Sequence, residues 1–409
     1  MSASSAFVAE PAGGPESDRT TGRLPIRLRE GFASEREEER VISWLETGLR
    51  PGRTGRLCAE YPLLLGPQGS GIPLIAFEPG GQPIAFALLW PVRFEVDGAS
   101  LHAGMISLVY TDPRRRGEGL ARRVVEAAVE RARTSGLGVV LLWSDLEGLY
   151  APLGFTRIGC ETLVLIEPDT LERARAALAR GPGHGDAPVV RPGEPGDWKA
   201  IEALRRDRRC RVDLPFEQFA RFASVPDLVV RVAVGREGLE GFAICGRGDD
   251  LREVIHDWGG SGRAVLACCE ALISELAPDR GLFLLAPDAP IEPAWPLRRA
   301  GARMLRQPLA WMRIADPDSL ARDLMGLLGR RPGLHAVVGS SAAEPRLRIE
   351  GDGSMDALEL DGAALLRALF GASAGFDPES TRAALLERLD APHGTALPLP
   401  FFVWGLESI

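Results

Sequence analysis

The stretch Val-Tyr-Thr-Asp-Pro-Arg-Arg-Arg-Gly-Glu-Gly-Leu-Ala at residues 109–121 decides how this chain is interpreted. An apolar run precedes it from about residue 101, and a helical pattern follows it to about residue 135, which predicts a strand-to-helix turn. A helix start leaves backbone N–H groups unpaired, glycines let a phosphate approach that backbone, and arginines add charge-assisted hydrogen bonds. The turn therefore suits a pyrophosphate, although a solvated basic turn accounts for the same residues.

A second motif follows about thirty residues later, where Tyr150 stands four residues before the pair Gly154 and Phe155. A short buried strand at residues 139–143 and a short helix at residues 146–153 are predicted around it. Together with the turn, this order resembles the GNAT superfamily of N-acetyltransferases. The resemblance implies an α+β fold with a mixed α/β sheet, and acetyl-CoA as a co-substrate that is held at the turn.

The family motif R/Q-x-x-G-x-G/A fits the turn in two registers. The better register begins at Arg116, because Pro113 and the helix start favour it, and the other begins at Arg114. The resemblance implies that backbone N–H groups of the turn bind the pyrophosphate, that the end of the preceding strand hydrogen-bonds the pantetheine and the acyl carbonyl, and that Arg114 and Arg115 contact the 3′-phosphate. The implied cofactor-binding residues are Leu108, Val109, Tyr110, Arg114, Arg115, Arg116, Gly117, Glu118, Gly119, Leu120 and Ala121.

Tyr150 matches the tyrosine that many GNAT enzymes use as general acid. Attack of an amine on a thioester forms an oxyanion and then expels a thiolate, so a positioned phenol can protonate the sulfur and a backbone N–H can stabilise the oxyanion. Packing beside the cofactor is the alternative role for this ring. The asparagine often found before this tyrosine is absent, because residues 143–145 are Trp-Ser-Asp.

The second half of the chain repeats the order of elements in the first. A strand at residues 254–258 and a helix at residues 263–276 are again joined by a glycine turn, Gly-Gly-Ser-Gly, but this turn has no arginine triplet. Leu297 stands at the position that corresponds to Tyr150. A plain turn accounts for these residues better than a phosphate site does. We therefore predict a duplicated, degenerate and non-catalytic GNAT-like domain.

A GNAT domain, a degenerate copy and a small α+β unit are together similar in architecture to the Eis-like acetyltransferases, which end in a sterol-carrier-like domain. Those enzymes acetylate amines, and their own C-terminal carboxylate can enter the active site as base. The resemblance implies this catalytic role for Ile409, at the end of an apolar tail that more ordinarily packs on a core. The general base stays open among Glu60, Glu147, the Ile409 carboxylate and a water chain.

Five segments make up the predicted organisation of the chain. Residues 1–22 are rich in Ser, Gly, Pro and Glu and lack an apolar core, which is typical of a disordered tail and not of a signal peptide. The GNAT domain covers residues 23–175, and a Gly/Pro-rich linker covers residues 176–187. The degenerate copy covers residues 188–315, and the small α+β domain covers residues 316–409.

Composition narrows the class of protein further. The net charge is −8, and a nucleic-acid binder usually carries a basic excess instead. The six cysteines have no C-x-x-C spacing and the five histidines are scattered, which indicates reduced thiols and no metal site. Apolar runs stay well short of the roughly 20 residues that a membrane span needs. We expect a cytoplasmic protein without a metal, nucleic-acid or membrane partner, and a homo-oligomer is possible.

The leading hypothesis is an acetyl-CoA-dependent N-acetyltransferase that acts on a primary amine of a small molecule or peptide. The alternative is a non-enzymatic acyl-CoA-binding or sensing protein whose C-terminal domain holds a lipid or a partner. It would keep the turn but need no amine cleft. A third hypothesis, modification of tRNA or another nucleic acid, is disfavoured by the net charge of −8.

Overall fold

The computed structural model describes residues 26–179, 187–288, 293–328, 334–338, 345–349, 358–371 and 397–408. Four predictions fall outside these residues. Three concern the disordered tail at residues 1–22, the central part of the linker at residues 180–186, and the position of Ile409. The fourth is a helix near residues 381–389, which the sequence predicts as part of the small α+β domain.

Strands and helices alternate along most of the described chain. The strands are Arg27–Glu30 (β1), Ile72–Phe77 (β2), Pro83–Val96 (β3), Ala99–Thr111 (β4), Val139–Leu142 (β5), Thr156–Ile158 (β6), Glu161–Ile166 (β7), Val189–Pro192 (β8), Cys210–Val212 (β9), Val229–Gly235 (β10), Gly238–Cys245 (β11), Val254–Gly260 (β12), Leu282–Pro287 (β13), Arg303–Gln307 (β14), Ala310–Ile314 (β15), Leu334–Val338 (β16), Pro345–Ile349 (β17) and Leu358–Asp361 (β18). The helices are Glu35–Leu49 (α1), Arg56–Glu60 (α2), Leu120–Thr134 (α3), Glu147–Tyr150 (α4), Pro168–Ala179 (α5), Trp198–Arg206 (α6), Phe216–Phe219 (α7), Gly262–Leu276 (α8), Ala294–Arg299 (α9), Pro317–Leu328 (α10) and Gly362–Phe370 (α11).

Three sheets organise these strands. The first has the order β1-β2-β3-β4-β5-β15-β6, with β9 paired to β3. The second has the order β14-β7-β13-β12-β11-β10-β8, and the third is β16-β17-β18. Each large sheet contains one parallel pair, β4 with β5 and β12 with β13, among antiparallel neighbours. This mixed topology confirms the predicted fold class for the first domain and gives the predicted duplication a structural counterpart.

The two large sheets exchange a strand. The strand that the sequence predicts at residues 162–166 is present, but it does not join the first sheet, although it lies within the predicted GNAT domain at residues 23–175. Strand β7 lies between β13 and β14 in the second sheet, whereas β15 from the later half pairs with β5 and β6 in the first. Both strands have alternating or continuous apolar residues, so either sheet can bury them and only tertiary packing assigns the partner. The domain boundaries near residues 175 and 188 divide the sequence into segments, and they remain a prediction.

Helix α3 packs its predicted apolar face against the first sheet. Leu120, Val124, Ala128 and Ala132 are all buried, whereas Arg123 and its polar neighbours face solvent. Each large aliphatic side chain buried in this way contributes roughly 1.5–3 kcal/mol. The helix is therefore held firmly at its start, which is where the candidate site lies.

The sequence predicts that Ser34 caps a helix that runs to about residue 49, and helix α1 begins there. The Ser34 side chain accepts a hydrogen bond from the Glu37 backbone N–H at 3.2 Å, which supplies the cap that an exposed helix start needs. The sequence also predicts one hairpin at residues 72–96 and another at residues 228–245, and both are present as β2–β3 and β10–β11. For the C-terminal unit the sequence predicts strands near residues 336, 347 and 358–360 and a helix near residues 363–369, and β16, β17, β18 and α11 match them. The sterol-carrier-like character of this unit remains a prediction.

The tail at residues 397–408 packs between the sheets without regular structure. Glu407 is fully buried, accepts from Arg205 Nε at 2.7 Å and accepts from the Val212 backbone N–H at 3.0 Å. Removing one partner of such a buried ion pair typically costs about 3–5 kcal/mol, because the other charge is left without compensation. The polar anchor and the surrounding aromatic residues fix the tail in the core, as the sequence suggests for an apolar tail.

Candidate active site

The arginine- and glycine-rich turn occupies residues 112–119, between β4 and α3. Gly117 and Gly119 have φ angles of +83° and +75°, a region that side chains other than glycine rarely adopt. No atom lies within 4 Å of the position that a Cβ would take at either residue. The glycines therefore leave an open concave surface in front of the helix start.

Helix α3 begins without a side-chain cap, because its N-cap residue is Gly119. The backbone N–H groups of Gly117, Gly119, Leu120 and Ala121 have no hydrogen-bond acceptor in the described part of the chain. Unpaired N–H groups and the positive end of a 15-residue helix dipole attract an anion at this point. The arrangement is that of a phosphate-binding helix start.

The three arginines of the turn have different surroundings. Arg114 donates to Asp112 from its backbone N–H and its guanidinium, which lowers the pKa of the Asp112 carboxyl. Arg115 pairs with Glu118 at 2.7 Å and with Glu78 at 3.3 Å. Arg116 is exposed and makes no hydrogen bond or ion pair to the described residues. This difference favours the motif register that begins at Arg116.

Strand β4 carries a β-bulge that the sequence does not predict. Tyr110 pairs with Phe86 and Ser107 pairs with Leu88, so two residues of β4, Leu108 and Val109, lie opposite one residue of β3. Leu108 has a φ of +51°, which is strained for a leucine. No sequence signal marks this position, because glycine or asparagine is the residue that usually reports a left-handed backbone.

Beyond the bulge, β4 has an open edge. Its pairing with β5 covers only residues 103–105, and β5 ends at Leu142 while β4 continues to Thr111. The Ser107 and Thr111 hydroxyl oxygens are buried and have no hydrogen-bond partner within the described ranges. Two parallel strands thus diverge in front of the turn, and an extended polar ligand could pair with the free edge of β4.

Tyr110 is predicted to contact the cofactor, and its ring points elsewhere. The ring packs under α1, with its centroid 5.0 Å from the Trp44 ring, and it fills the space that a side chain at position 48 would take. Of Tyr110, the backbone is therefore the part that faces the open edge of β4. The glycine at position 48 is required by this close contact.

Tyr150 ends helix α4, beyond the carboxyl end of β5. Its side chain is buried and makes an edge-to-face contact with Phe155, with ring centroids 5.9 Å apart. Burial raises the pKa of the Tyr150 phenol, and a hydrogen bond with the Ser144 side chain opposes that shift. The Ser144 carbonyl also accepts from the Trp311 indole at 2.8 Å, so the exchanged strand β15 helps to hold this corner.

The candidate bases lie in different surroundings. Glu60 is buried and paired with Arg50 at 2.6 Å and Arg56 at 2.7 Å, so accepting a proton would weaken two ion pairs. Glu147 is exposed and lies 3.2 Å from Arg157. Ile409 lies outside the described residues, although the preceding residue is placed, and the Ser408 carbonyl accepts from Arg247.

The second sheet carries the corresponding strand and helix without the turn. Strand β12 ends at Gly260 and α8 starts at Gly262, so Ser261 alone connects them. The Ser261 hydroxyl accepts from the Ala264 backbone N–H at 3.3 Å and caps the helix. The Trp258 indole donates to the Leu285 carbonyl at 2.9 Å and bridges the gap between β12 and β13.

The described residues were also compared with the requirements of a membrane span and of a metal site. None of the described helices is both long enough and apolar enough to cross a membrane. Within the same residues, no cluster of three or more His, Cys, Asp or Glu side chains is arranged to hold a metal ion.

Known proteins match the chain in sequence profile and in fold. The profile of the acetyltransferase (GNAT) domain matches residues 32–158, which include the turn, the bulge and Tyr150. No curated protein sequence matches the chain.

Three solved structures share its fold over most of its length. A GCN5-related N-acetyltransferase from Anabaena variabilis is 15% identical with a TM-score of 0.64, covering 94% of this chain and 100% of the other. A GCN5-related N-acetyltransferase from Kribbella flavida is 17% identical with a TM-score of 0.59, covering 94% and 99%. Eis1 from Mycobacterium abscessus is 16% identical with a TM-score of 0.55, covering 94% and 99%. At these identities the similarity shows the fold, and the profile match identifies the domain that carries the turn. Residues 32–158 therefore form an acyltransferase domain of the GNAT family, set in a fold that resembles Eis1.

Proposed function

We propose that the protein transfers the acetyl group of acetyl-CoA to a primary amine of a small molecule or peptide. The observation that carries the proposal is the uncapped start of α3, behind two left-handed glycines and beside the open edge of β4. One extended ligand could therefore place an anion at the helix start and form hydrogen bonds with the open edge of β4. Acetyl-CoA has a pyrophosphate and an amide-rich pantetheine arm, which match the two parts in that order.

Binding would divide between the backbone and Arg116. The N–H groups of Gly117, Gly119, Leu120 and Ala121 are suited to the pyrophosphate, and the backbone of residues 108–110 to the pantetheine. Arg116 has no acidic partner in the described structure, so its charge is available to the ligand. Arg114 and Arg115 are already neutralised by acidic neighbours and serve as accessory charges near the 3′-phosphate.

The transfer step needs a stabilised oxyanion and a proton for the leaving thiolate. The amine nitrogen attacks the thioester carbon, and in this proposal a backbone N–H of the Leu108–Val109 bulge donates to the oxyanion. The C–S bond then breaks, and the Tyr150 phenol donates its proton to sulfur. Because burial raises the pKa of Tyr150, the phenol keeps this proton throughout the neutral pH range.

The amine nitrogen loses a proton as the amide forms, and the proposed base that accepts it is the carboxylate of Ile409, with a water chain as the other route. Both side-chain candidates are less suitable, because Glu60 is committed to two buried ion pairs and Glu147 is exposed beside Arg157. Adding one glycine after Ile409 moves the carboxylate by one residue. Turnover should then fall while the affinity for acetyl-CoA is kept, and an unchanged turnover would assign the role to water.

Isothermal titration with acetyl-CoA tests the binding half of the proposal. The wild-type protein should bind one equivalent, and Arg116→Ala should weaken binding about tenfold through loss of a charge-assisted contact. Arg123→Ala removes an exposed arginine of the adjacent helix α3, outside the motif, and its affinity should match the wild type. Equal affinities for all three proteins would contradict the proposed site.

A panel of primary amines, assayed by release of free CoA thiol, tests the transfer half. Amine-dependent thiol release supports the enzyme. Tight binding of acetyl-CoA without transfer to any amine would favour the alternative function, an acyl-CoA-binding or sensing protein.

A further inference from the structure

A cavity of about 530 Å³ lies at the carboxyl ends of β12 and β13. These two strands pair in parallel only at residues 254–255 and then diverge, as β4 and β5 do in the first sheet. The volume is within the range of small-molecule sites in proteins. The cavity belongs to the second sheet and is separate from the turn that we assign to acetyl-CoA.

The inner wall of this cavity is aromatic, and its polar groups are satisfied within the protein. The Trp258 indole donates to the Leu285 carbonyl at 2.9 Å, and the Trp404 indole donates to the Cys210 carbonyl at 3.0 Å. The Cys210 thiol donates to the Phe402 carbonyl at 3.2 Å. The wall therefore presents apolar surface, which favours a ligand with an apolar body. Its aromatic residues are Trp258, Phe370, Phe401, Phe402 and Trp404.

The arginines of the lining are neutralised. Three of them lie there, and each forms an ion pair with a carboxylate: Arg208 with Asp257, Arg209 with Asp97 at 2.7 Å, and Arg306 with Asp288. An anionic ligand would have to compete with the carboxylate already present at each arginine. The lining thus has no positive charge in excess.

Asp207 is the charged residue of the lining that is not compensated. Residues 205–209 are Arg-Arg-Asp-Arg-Arg, so Asp207 has two arginines on each side in the sequence. All four are paired with other carboxylates, because Arg205 pairs with Glu407, Arg206 pairs with Glu202, and the two that follow Asp207 form the pairs given above. Asp207 is exposed and makes no ion pair or side-chain hydrogen bond to the residues that the structure describes. One negative charge therefore remains at this side of the cavity.

The position of Asp207 at the end of α6 adds to this negative potential. Asp207 is the C-cap of the nine-residue helix, at the negative end of the helix dipole, where a cation is stabilising. The faces of the aromatic rings in the wall also attract cations and not anions. A ligand with one positive charge and an apolar body would thus match the charge and the wall together.

We infer that this cavity binds an organic cation with an apolar body, which lies against the aromatic wall while the charged nitrogen faces Asp207. The site goes beyond the proposed acetyl transfer, because the ligand need not be an acyl acceptor. Residues 398–402 and Trp404 form part of the wall, so an occupant of the cavity contacts the tail directly.

Titration of the full-length protein, saturated with CoA, tests the inference with three probes that share a naphthyl body. They are the cationic (2-naphthylmethyl)trimethylammonium, the neutral 2-naphthylmethanol and the anionic 2-naphthylacetate. A quaternary nitrogen cannot be acetylated, so the result does not depend on acyl transfer. The cation should bind with a stoichiometry of one. The alcohol should bind about three- to fivefold more weakly, as expected for loss of an exposed ion pair, and the anion more weakly still.

Tetramethylammonium tests the contribution of the apolar body. Because it lacks the naphthyl group, it should bind at least about tenfold more weakly than the naphthyl cation. Absence of binding by the naphthyl cation, equal or tighter binding of either the alcohol or the anion, equal binding of tetramethylammonium, or binding that CoA abolishes would each overturn the inference.

The chain contains an internal reporter of where the probe binds. Cys160 lines the cavity and is partly exposed, Cys58 on α2 is partly exposed outside it, and the other four cysteines are buried. The bound naphthyl cation should slow alkylation of Cys160 by iodoacetamide, followed by mass spectrometry, and leave the rate at Cys58 unchanged. Parallel slowing at both thiols, or at neither, would place the probe elsewhere and contradict the inference.

Asp207→Asn tests the charge without a change of shape at an exposed, unpaired side chain. The naphthyl cation should then bind no more tightly than 2-naphthylmethanol, and the affinity for the alcohol should stay as in the wild type. Glu217→Gln removes an exposed carboxylate of α7 outside the lining and should keep the wild-type preference for the cation. A preference for the cation that survives Asp207→Asn, or that is lost equally in Glu217→Gln, would contradict the role of Asp207.

Discussion

The two strand-to-helix connections of this molecule start from the same geometry and end with opposite properties. Eight residues, 112–119, join β4 to α3, whereas Ser261 alone joins β12 to α8. Both helices are 15 residues long and follow a strand that diverges from its parallel neighbour. The first helix start keeps its N–H groups available behind glycines, and the second uses a serine hydroxyl to satisfy one of its own.

If acetyl-CoA binds at α3 and not at α8, as we propose, a helix start in this fold is not by itself an anion site. The dipole and the unpaired N–H groups belong to both helices. A ligand site further requires a connection long enough to form a cradle, residues without side chains to keep it open, and the absence of an internal cap. The predictions below compare corresponding parts of the two halves, from the largest expected effect to the smallest.

The largest effect is expected at Tyr150, whose counterpart in the second domain is Leu297. Tyr150→Phe should lower turnover by roughly 10²–10⁴-fold, because the leaving thiolate loses its proton donor. Tyr61→Phe makes the same chemical change at another buried tyrosine, bonded to Asp250, and should leave turnover within a small factor. Steady-state kinetics on both variants distinguishes a proton donor from a packing residue. An unchanged rate in Tyr150→Phe would mean that the Tyr150 ring only packs against its neighbours.

A buried carboxyl distinguishes the exchanged strands. Glu161 at the start of β7 is buried beside Gln307, at 2.6 Å, and burial raises the pKa of its carboxyl to about 7. Strand β7 ends at Ile166 and β15 ends at Ile314. The residue of the second strand that corresponds to Glu161 is therefore Leu309, just before β15. Since the folded pKa exceeds the unfolded value of 4.5, the folded state binds more protons between these values, and Glu161 lowers stability as pH rises through that window.

Glu161→Gln should therefore stabilise the protein at pH 8 by roughly 3 kcal/mol and change little near pH 4. Chemical denaturation at both pH values measures the difference. The same gain at both pH values would mean that the carboxyl does not titrate as its burial implies.

Gly119→Ser changes the first connection toward the second. A serine at a φ of +75° is strained by about 1 kcal/mol, and its side chain occupies the concave surface of the turn. The dissociation constant for acetyl-CoA should rise at least about tenfold, measured by titration. Gly31→Ser is the matched control, because Gly31 has the same φ of +75° and equally open surroundings outside the turn. It should show a similar loss of stability with unchanged affinity.

Ser261→Ala changes the second connection toward the first, because it removes the helix cap, and it should give the smallest effect. Loss of the cap on α8 should lower the free energy of unfolding by about 1 kcal/mol, and the affinity for acetyl-CoA should not change. Thermal unfolding and titration measure the two quantities. A change in acetyl-CoA affinity would indicate that the second helix start takes part in binding after all.

Local patterns were sufficient for most elements and for the outline of the candidate site. The periodicity of residues 120–134 predicts α3 and its buried face, and Ser34 predicts the start of α1. Glycine and arginine spacing predicts the turn, since both residue types have direct backbone or charge consequences. The profile match over residues 32–158 confirms the family resemblance that these motifs carry.

Interactions between distant segments were not predictable in the same way. The left-handed backbone at Leu108 has no sequence signal, and the side chain of Tyr110 turns under α1 because a glycine at position 48 leaves room for it. The sequence also does not predict that Arg114 and Arg115 pair with acidic neighbours, because these ion pairs depend on how far each side chain reaches in the folded turn. A cavity at the carboxyl ends of β12 and β13 combines residues from seven separate segments of the chain.

By itself the sequence determined that the chain forms mixed sheets, that one connection has the glycines and arginines expected of an anion-binding helix start, and that the corresponding later connection has no arginines. These are properties of neighbouring residues, set by backbone preference, periodicity and charge. The tertiary structure alone decided which sheet receives β7 and β15, how the tail is anchored through Glu407, and where the diverging strands leave space. Those outcomes depend on packing between segments more than a hundred residues apart, where apolar strands of similar pattern are interchangeable until the core assigns them.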